Sequence, residues 1–271
     1  MRLAACLLFA CAALAQNPQP DVTNARFEDR AFSGNLELQL NATNATWFGY
    51  AVAGARRMEN NCCGRCNLEE SCHVSEGERS GRRVELEGAG TIALLYRVEH
   101  GVIEKIRVHS IECPLDAGGL PFVWLQNVPR AASLALVEHL ASTSGSDSLR
   151  EGAIFAISEH DGPEAVAALE RLARPPEISH VRGQAIFWLA QRAGEKAASF
   201  ISSAIQNDPD TEVKTKAVFA LSQLPRDDGV PRLIEVARSN NNREVRKQAF
   251  FWLGQSQDPR ALAFIEQVLE H

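Results

Sequence analysis

Cysteine and histidine side chains stand close together in one short segment, where they could bind a metal ion, exchange electrons or form disulfides. The segment contains Cys62, Cys63, Cys66 and Cys72, with His73 directly after them. Thiolates and an imidazole at these separations are ligands that zinc uses, and Cys63 and Cys66 form the Cys-x-x-Cys arrangement of dithiol redox proteins. Structural disulfides are the third alternative, and the compartment of the protein decides how strongly they are favoured.

The N-terminal residues are typical of an export signal. Arg2 supplies a positive charge, residues 3–14 are apolar, and Ala13-Leu14-Ala15 forms a cleavage site of small residues. We therefore predict a signal peptide over residues 1–15 and a periplasmic or secreted protein. A lipid-anchored variant is the alternative, because the residues before Cys11 loosely resemble a lipoprotein cleavage box. The apolar stretch is shorter than the roughly 20 residues that a membrane-spanning helix needs, so no transmembrane helix is expected.

Export favours disulfides over a metal or an active redox site. Of the seven cysteines, Cys6 and Cys11 leave with the signal, and five remain: Cys62, Cys63, Cys66, Cys72 and Cys113. All five are disulfide candidates in an oxidising compartment, and their odd number leaves one thiol over. The pairing stays open, and no metal ligand or cofactor is assigned.

Other sequence features that could support catalysis or nucleic-acid binding are weak. The net charge of −6 lacks the basic surface of a nucleic-acid-binding protein. No glycine-rich phosphate loop or G-x-S-x-G motif occurs. The adjacent acid–histidine pairs Glu138-His139 and Glu159-His160 do not recur with any period. We therefore predict no catalytic residue.

The first half of the chain has a strand-like pattern. Residues 16–21 form a polar, proline-containing linker, and alternating or aromatic-rich segments follow at 35–40, 46–52, 83–87, 91–98 and 102–108. The last two are separated by Glu99-His100-Gly101, which predicts a hairpin. We expect a small antiparallel β domain over residues 22–116, with a long cysteine-rich loop near residues 60–81.

The second half repeats one nine-residue phrase four times. It begins at Leu149, Val181, Val213 and Val245, which are 32 residues apart, and its second copy reads Val-Arg-Gly-Gln-Ala-Ile-Phe-Trp-Leu. A constant period in this range predicts a solenoid of helical hairpins over residues 117–271. The predicted units are 149–180, 181–212, 213–244 and 245–271, after a degenerate first unit at 117–148 that contains Phe122-Val123-Trp124-Leu125. The fold class is thus α+β, with a β domain followed by an all-α solenoid.

The repeated phrase resembles the HEAT-like repeats named after phycobilisome lyases. The run from Cys113 to Gly119, followed by Trp124-Leu125, resembles the domain junction of exported bacterial HEAT-repeat proteins. The resemblance implies stacked α-hairpins that serve as scaffolds or adaptors, and in some relatives as enzymes such as di-iron hydroxylases or bilin lyases.

Two columns of side chains recur on the predicted first helices. The seventh residue of each phrase lies roughly opposite the apolar stripe, and it is always phenylalanine: Phe155, Phe187, Phe219 and Phe251. These rings either form an exposed partner-binding row or are buried by packing between units. The second residue is always a cation, at Arg150, Arg182, Lys214 and Arg246, and we interpret this column as a structural ladder. Trp188 and Trp252 are predicted as core residues.

We predict a non-enzymatic scaffold or adaptor of the cell envelope that binds another protein through the repeat surface. The alternative is an enzyme of the hydroxylase or lyase type, or a redox or zinc protein centred on the cysteine loop. The oligomeric state and the identity of the partner stay open.

Overall fold

The computed structural model describes residues 18–55, 66–70 and 90–270. The predicted signal peptide and the predicted strand at 83–87 lie outside these residues, as do Cys62, Cys63 and Cys72. The strands are β1 (Val22–Thr23), β2 (Arg26–Ala31), β3 (Thr46–Ala53), β4 (Cys66–Asn67), β5 (Thr91–Glu99), β6 (Val102–Ser110), β7 (Leu115–Asp116) and β8 (Pro121–Gln126). The helices are α1 (Leu36–Gln39), α2 (Arg130–Thr143), α3 (Asp147–Glu159), α4 (Pro163–Leu172), α5 (Ser179–Ala193), α6 (Ala198–Asn207), α7 (Thr211–Ser222), α8 (Arg226–Ser239), α9 (Arg243–Gln255) and α10 (Pro259–Leu269). The chain is therefore α+β, with strands followed by a helical repeat region.

The larger sheet is mixed, whereas the sequence predicted an antiparallel one. Its order is β2-β8-β3-β5-β6, with β8 parallel to both neighbours and the β3-β5 and β5-β6 pairs antiparallel. The predicted hairpin is confirmed, since β5 and β6 are joined through His100 and Gly101, both with positive φ. A smaller sheet has the order β1-β7-β4.

Strand β8 corrects the predicted first repeat unit. Residues 122–125, which were expected to open a degenerate helical hairpin at 117, instead form an inner strand of the larger sheet. Four consecutive large apolar residues between Pro121 and Gln126 are typical of a strand buried on both faces. The first helix of that unit is therefore replaced by a strand, and α2 stands alone as its second helix.

A second correction concerns residues 35–40, which were predicted as a strand. Residues Leu36–Gln39 form the short helix α1, and the Asn35 side chain accepts a hydrogen bond from the backbone N–H of Leu38 at 2.9 Å. An asparagine in this position caps a helix N-terminus, and this local bond outweighs the alternation of Leu36, Leu38 and Leu40.

The helices form four hairpins in the predicted register: α3 with α4, α5 with α6, α7 with α8, and α9 with α10. Each of α4, α6 and α8 also packs against the first helix of the following hairpin. In the second hairpin a 3₁₀ turn, Gly194–Ala197, follows α5 and precedes α6, which begins at Ala198.

One apolar core joins the sheet to the helical array. It includes Tyr50 and Ile106 of the sheet, Val137 of α2, and the inward side chains of every later helix. Gly152 lets α3 approach β6 closely, because a Cβ there would lie 3.4 Å from Ile106 Cβ. Among the described residues, no helix combines the length and the apolar composition that a membrane span requires.

Candidate interaction surface

Six aromatic rings form a continuous row across the first helices of the four hairpins, and we call this row the aromatic ladder. Neighbouring ring centroids are 4.9–5.7 Å apart, within the range of favourable aromatic pairs. Phe187 of α5 and Phe219 of α7 are stacked with an interplanar angle of 3°. In spatial order the members are Phe155, Trp188, Phe187, Phe219, Trp252 and Phe251.

The ladder is neither fully exposed nor fully buried. Phe155, Phe187 and Phe219 are half-buried, and Phe251 at the end of the row is 52% exposed. Trp188 and Trp252, predicted as core, are also only half-buried. Each ring contacts a phenylalanine of its own helix and one on the first helix of the preceding hairpin. The two structural alternatives for the phenylalanines are thus combined: the rings pack on one another while one side of the row reaches solvent.

A groove of about 390 Å³ opens beside the last tryptophan of the ladder. It is lined by Trp252, by the turn between α7 and α8, and by the end of α9, with Gln223 and Gln255 among its polar side chains. The indole nitrogen of Trp252 is buried and donates no hydrogen bond within the described residues. The groove therefore combines an aromatic wall with polar amide side chains.

Two ion pairs lie on the same helices as the ladder. Glu151 of α3 and His180 of α5 lie 3.1 Å apart, and Lys216 of α7 pairs with Glu212 at 2.9 Å. Lys216 lies directly against the backbone of Gly183, where any side chain would collide with it.

The predicted cation column makes local contacts on every helix. Arg150 binds Asp147 at 2.6 Å, Lys214 donates to the carbonyl of Gln206 at 3.1 Å, and Arg246 donates to the carbonyl of Asn240 at 2.6 Å. Asp208, which precedes Lys214 in the sequence, pairs with Arg182, the preceding member of the column.

The pair of Arg182 and Asp208 differs from the others in its burial. Two nitrogens of Arg182 donate to the two carboxylate oxygens of Asp208, each at 2.8 Å, and the side chains are 7% and 3% exposed. Arg182 also donates to the carbonyl of Glu177. These two hydrogen bonds tie α5 to the segment between α6 and α7. Bidentate pairs of arginine and carboxylate are among the strongest hydrogen bonds in proteins, because both groups are charged.

A buried polar chain, which the sequence analysis missed, joins the sheet to the array. The hydroxyls of Tyr96 and Tyr50 lie 2.8 Å apart, Tyr50 lies 2.8 Å from the Ser133 hydroxyl, and that hydroxyl lies 2.7 Å from His160 Nε2. All four residues are 0% exposed. Residues so far apart in the sequence, on β3, β5, α2 and the end of α3, leave no local pattern.

The direction of the hydrogen bonds in this chain follows from the histidine tautomer. His160 Nδ1 lies 2.7 Å from the carbonyl of Ala156, which only accepts, so Nδ1 carries the proton and Nε2 accepts from Ser133. Burial, together with the positive charges of Arg130 and Arg192, lowers the pKa of His160 to about 4. Burial also raises the pKa of Tyr50 and of Tyr96, so all members are neutral near pH 7.

A serine donating to a histidine is also the arrangement of a nucleophile with its general base. Here Ser133 and His160 are fully enclosed between the sheet and the array, so no substrate reaches the serine oxygen while that contact persists. The other acid–histidine pair, Glu138-His139, is not part of this chain of hydrogen bonds. Its Glu138 accepts two hydrogen bonds from Arg171, of 2.6 and 2.7 Å. We therefore assign the buried chain a structural role.

The cysteine cluster is described only in part. Cys66 in β4 and Cys113 just before β7 are both fully buried, and β4 pairs with β7. Cys62, Cys63 and Cys72 lie outside the described residues, so the predicted disulfides stay a prediction. Among residues 18–55, 66–70 and 90–270, no group of three or more histidine, cysteine or acidic side chains is arranged to hold a metal ion.

Comparison with known proteins identifies the repeat. The family described as HEAT repeats matches residues 133–222 and 199–271, which together cover half of the chain. No curated protein matches.

Several solved structures resemble part of this chain at low sequence identity. Human deoxyhypusine hydroxylase in complex with glycerol is 20% identical over 45% of this chain and 42% of its own, with a TM-score of 0.37. The complex of CpcE and CpcF of phycocyanin lyase from Nostoc sp. is 16% identical over 52% of this chain and 91% of its own, with a TM-score of 0.41. Escherichia coli YibA is 20% identical over 49% of this chain and 52% of its own, with a TM-score of 0.35. The chain thus spans about half the length of the hydroxylase and of YibA.

Proposed function

Because the chain belongs to the family of HEAT repeat proteins, we propose that it is a non-enzymatic scaffold that binds another protein through the aromatic ladder. HEAT repeats usually mediate protein interactions, since stacked hairpins present a long continuous surface. The observation that carries the proposal is the row of six contacting, partly exposed rings on the first helices of four successive hairpins.

The physical properties of the ladder suit a protein partner. Aromatic side chains dominate the binding energy of interfaces because they bury a large area at a small cost in conformational entropy. Stacking between Phe187 and Phe219 holds the rings in place before the partner arrives. The adjacent groove offers the amide side chains of Gln223 and Gln255 for hydrogen bonds to that partner.

We expect the Phe187→Ala/Phe219→Ala variant to bind its partner at least tenfold more weakly, because it removes the stacked centre of the ladder. The partner is first identified by crosslinking in the cell and mass spectrometry, and its affinity is then measured by titration with purified proteins. Circular dichroism and a melting curve establish that the variant is folded.

The matched control is Phe200→Ala. Phe200 is a half-buried phenylalanine on α6, outside the ladder, where Arg174 lies over its ring at 4.6 Å. This change removes one phenyl group from another surface of the array, half of what the double variant removes, and it is compared per ring. Equal affinity of wild type and the Phe187→Ala/Phe219→Ala variant would contradict the proposal, and so would an equal loss in the control.

We propose in addition that the protein is exported and that its cysteines form disulfides. The signal-like residues 1–15 and the five cysteines beyond them support this. The mature protein is expected to begin at Gln16 in the envelope or extracellular fraction. Thiol titration in denaturant should give one thiol per chain without reductant and five with it, since two disulfides use four of the five cysteines.

The same purified protein tests the alternative of a redox or zinc protein. Stoichiometric zinc or iron in elemental analysis, or a rapidly reacting thiol of lowered pKa, would replace the scaffold proposal with a function centred on the cysteine loop. Recovery of all five thiols without reductant would contradict the disulfides.

A further inference from the structure

The aromatic ladder lies on the inner side of the helical array. Successive first helices, α3, α5, α7 and α9, pack directly on one another, whereas successive second helices touch much less extensively. Because the first helices are the more closely spaced layer, the array curves toward them, and stacked hairpins that curve form a concave binding surface. A long segment of a partner protein can therefore follow the ladder from one hairpin to the next.

A row of glutamines runs parallel to the ladder on the same helices, and we call it the glutamine row. Each member follows a ladder phenylalanine by four residues, so it lies one turn further along the same face of the helix, about 6 Å away along the axis. All three side chains are exposed. The members are Gln191, Gln223 and Gln255, which are 32 residues apart.

The amides of the glutamine row can bind a peptide backbone. Among the hydrogen bonds of the described residues, the amide of Gln223 reaches only the hydroxyl of Ser222 on its own helix, at 3.1 Å, and the amides of Gln191 and Gln255 make none. Gln223 and Gln255 also line the groove of about 390 Å³, together with Arg226. Amide and guanidinium N–H groups are donors, so this part of the surface favours a ligand rich in carbonyl acceptors.

Charged side chains near the ladder take part in ion pairs. Three of them precede a ladder phenylalanine by three or four positions, which places them on the same face of the helix. The pairs are Glu151 with His180 at 3.1 Å, Lys216 with Glu212 at 2.9 Å, and Lys247 with Glu244 at 3.7 Å. Since electrostatic complementarity selects partners, this face favours a segment without net charge.

The spacing of the hairpins selects the conformation of such a segment. Packed helices are typically about 8–10 Å apart, so a segment that crosses the first helices must present the same face about every 9 Å. A polyproline II helix does so, because three residues of about 3.1 Å each complete its turn. The same face of a β-strand recurs about every 7 Å instead, since its side chains alternate. Polyproline II segments also leave their carbonyls without internal hydrogen bonds, and they dock on aromatic surfaces.

We propose that the aromatic ladder and the glutamine row bind a proline-rich segment of the partner protein in the polyproline II conformation. Successive turns of the segment place apolar side chains on the ladder rings and carbonyl oxygens within reach of the glutamine amides. The inference rests on the scaffold function proposed above, and it specifies which kind of segment in the partner is recognised.

Fluorescence anisotropy with labelled peptides of about twelve residues, long enough for four turns, tests this inference on the full chain. A peptide that repeats Leu-Pro-Pro presents its leucines on one face of a polyproline II helix. It should bind saturably and at least tenfold more tightly than a peptide of equal length that repeats Leu-Gly-Ser, because the flexible chain loses more entropy on binding. A peptide that alternates leucine and proline, with its leucines out of step with the hairpins, should also bind more weakly.

The Gln223→Ala/Gln255→Ala variant should bind the Leu-Pro-Pro peptide at least tenfold more weakly than wild type, because two hydrogen bonds to its carbonyls are lost. The matched control is Gln206→Ala/Gln267→Ala, which removes two exposed amides from the second helices α6 and α10 and should leave the affinity unchanged. Circular dichroism establishes that both variants are folded.

The inference is overturned if the Leu-Pro-Pro peptide does not bind saturably or binds no better than the Leu-Gly-Ser peptide. Equal affinities of wild type and Gln223→Ala/Gln255→Ala, or an equal loss in the control, would overturn it as well. The scaffold function has a separate readout, the affinity of the Phe187→Ala/Phe219→Ala variant for the crosslinked partner. A partner that requires the ladder while no proline-rich peptide binds would leave the scaffold function standing and remove this inference alone.

Discussion

The Arg182→Ala variant is expected to lose about 3 kcal/mol of unfolding free energy, because it leaves the Asp208 carboxylate buried without its partner. Asp208 is 3% exposed and receives both of its charge-assisted bonds from Arg182, at 2.8 Å each. A backbone N–H, that of Asp210 at 2.9 Å, is the other donor to this carboxylate among the hydrogen bonds of the described residues. Urea denaturation followed by circular dichroism measures the loss.

Two further variants separate the effect of burying an ion pair from the effect of removing its charge. Arg150→Ala removes the equivalent cation of the first hairpin, whose partner Asp147 is 67% exposed, and exposed ion pairs contribute less than about 1 kcal/mol. The Arg182→Ala/Asp208→Ala variant should be less destabilised than the sum of the two single variants, because no unpaired charge remains buried. Equal losses in Arg150→Ala and Arg182→Ala would show that burial of the pair does not determine its contribution.

The second large effect is a loss of stability in mild acid that depends on His160. Its pKa is about 4 in the folded protein and 6.5 in an unfolded chain. As the pH falls from 6.5 to 4, the unfolded chain binds a proton that the folded protein excludes, so the free energy of unfolding decreases across this window. One pKa unit corresponds to about 1.4 kcal/mol, and the loss attributable to His160 is therefore about 2 kcal/mol at pH 5.

The comparison with His160→Gln isolates this contribution from that of the carboxylates. Glutamine retains an acceptor for Ser133 and does not titrate in this range. The variant will be less stable than wild type at pH 7, because its amide does not reproduce the bond to Ala156. The difference between the two proteins should then shrink toward pH 5, when unfolding free energies are measured at several pH values. A difference independent of pH would contradict the shifted pKa.

The repeat region was predictable from the sequence because each unit repeats the same local and neighbouring contacts. The 32-residue register places every phenylalanine of the ladder on the same side of its helix. Extending the register to residues 122–125 gave the wrong structure, since an apolar run of this length fits either a helix or a buried strand. These residues form a strand because they pair with β2 and β3, which are distant in the sequence.

The polar chain between the sheet and the array could not be predicted in the same way. Tyr50 and Ser133 are 83 residues apart, and Ser133 and His160 are 27 apart. His160 stood out only as a member of an acid–histidine pair. Its environment depends on how α2 packs against the sheet, which no periodicity records. Such tertiary contacts determine both the burial of His160 and which of its ring nitrogens carries the proton.

Strand β8 limits how the polypeptide can be divided. It lies between β2 and β3 in the sheet, yet it runs almost directly into the first helix of the array. Cutting the chain near residue 117, where sequence alone places the boundary, would remove an inner strand from one fragment and expose an unpaired apolar strand on the other. A division of the chain has to fall between Gln126 and Arg130 to keep β8 in the sheet, and even there it exposes the apolar core that the sheet shares with the helices.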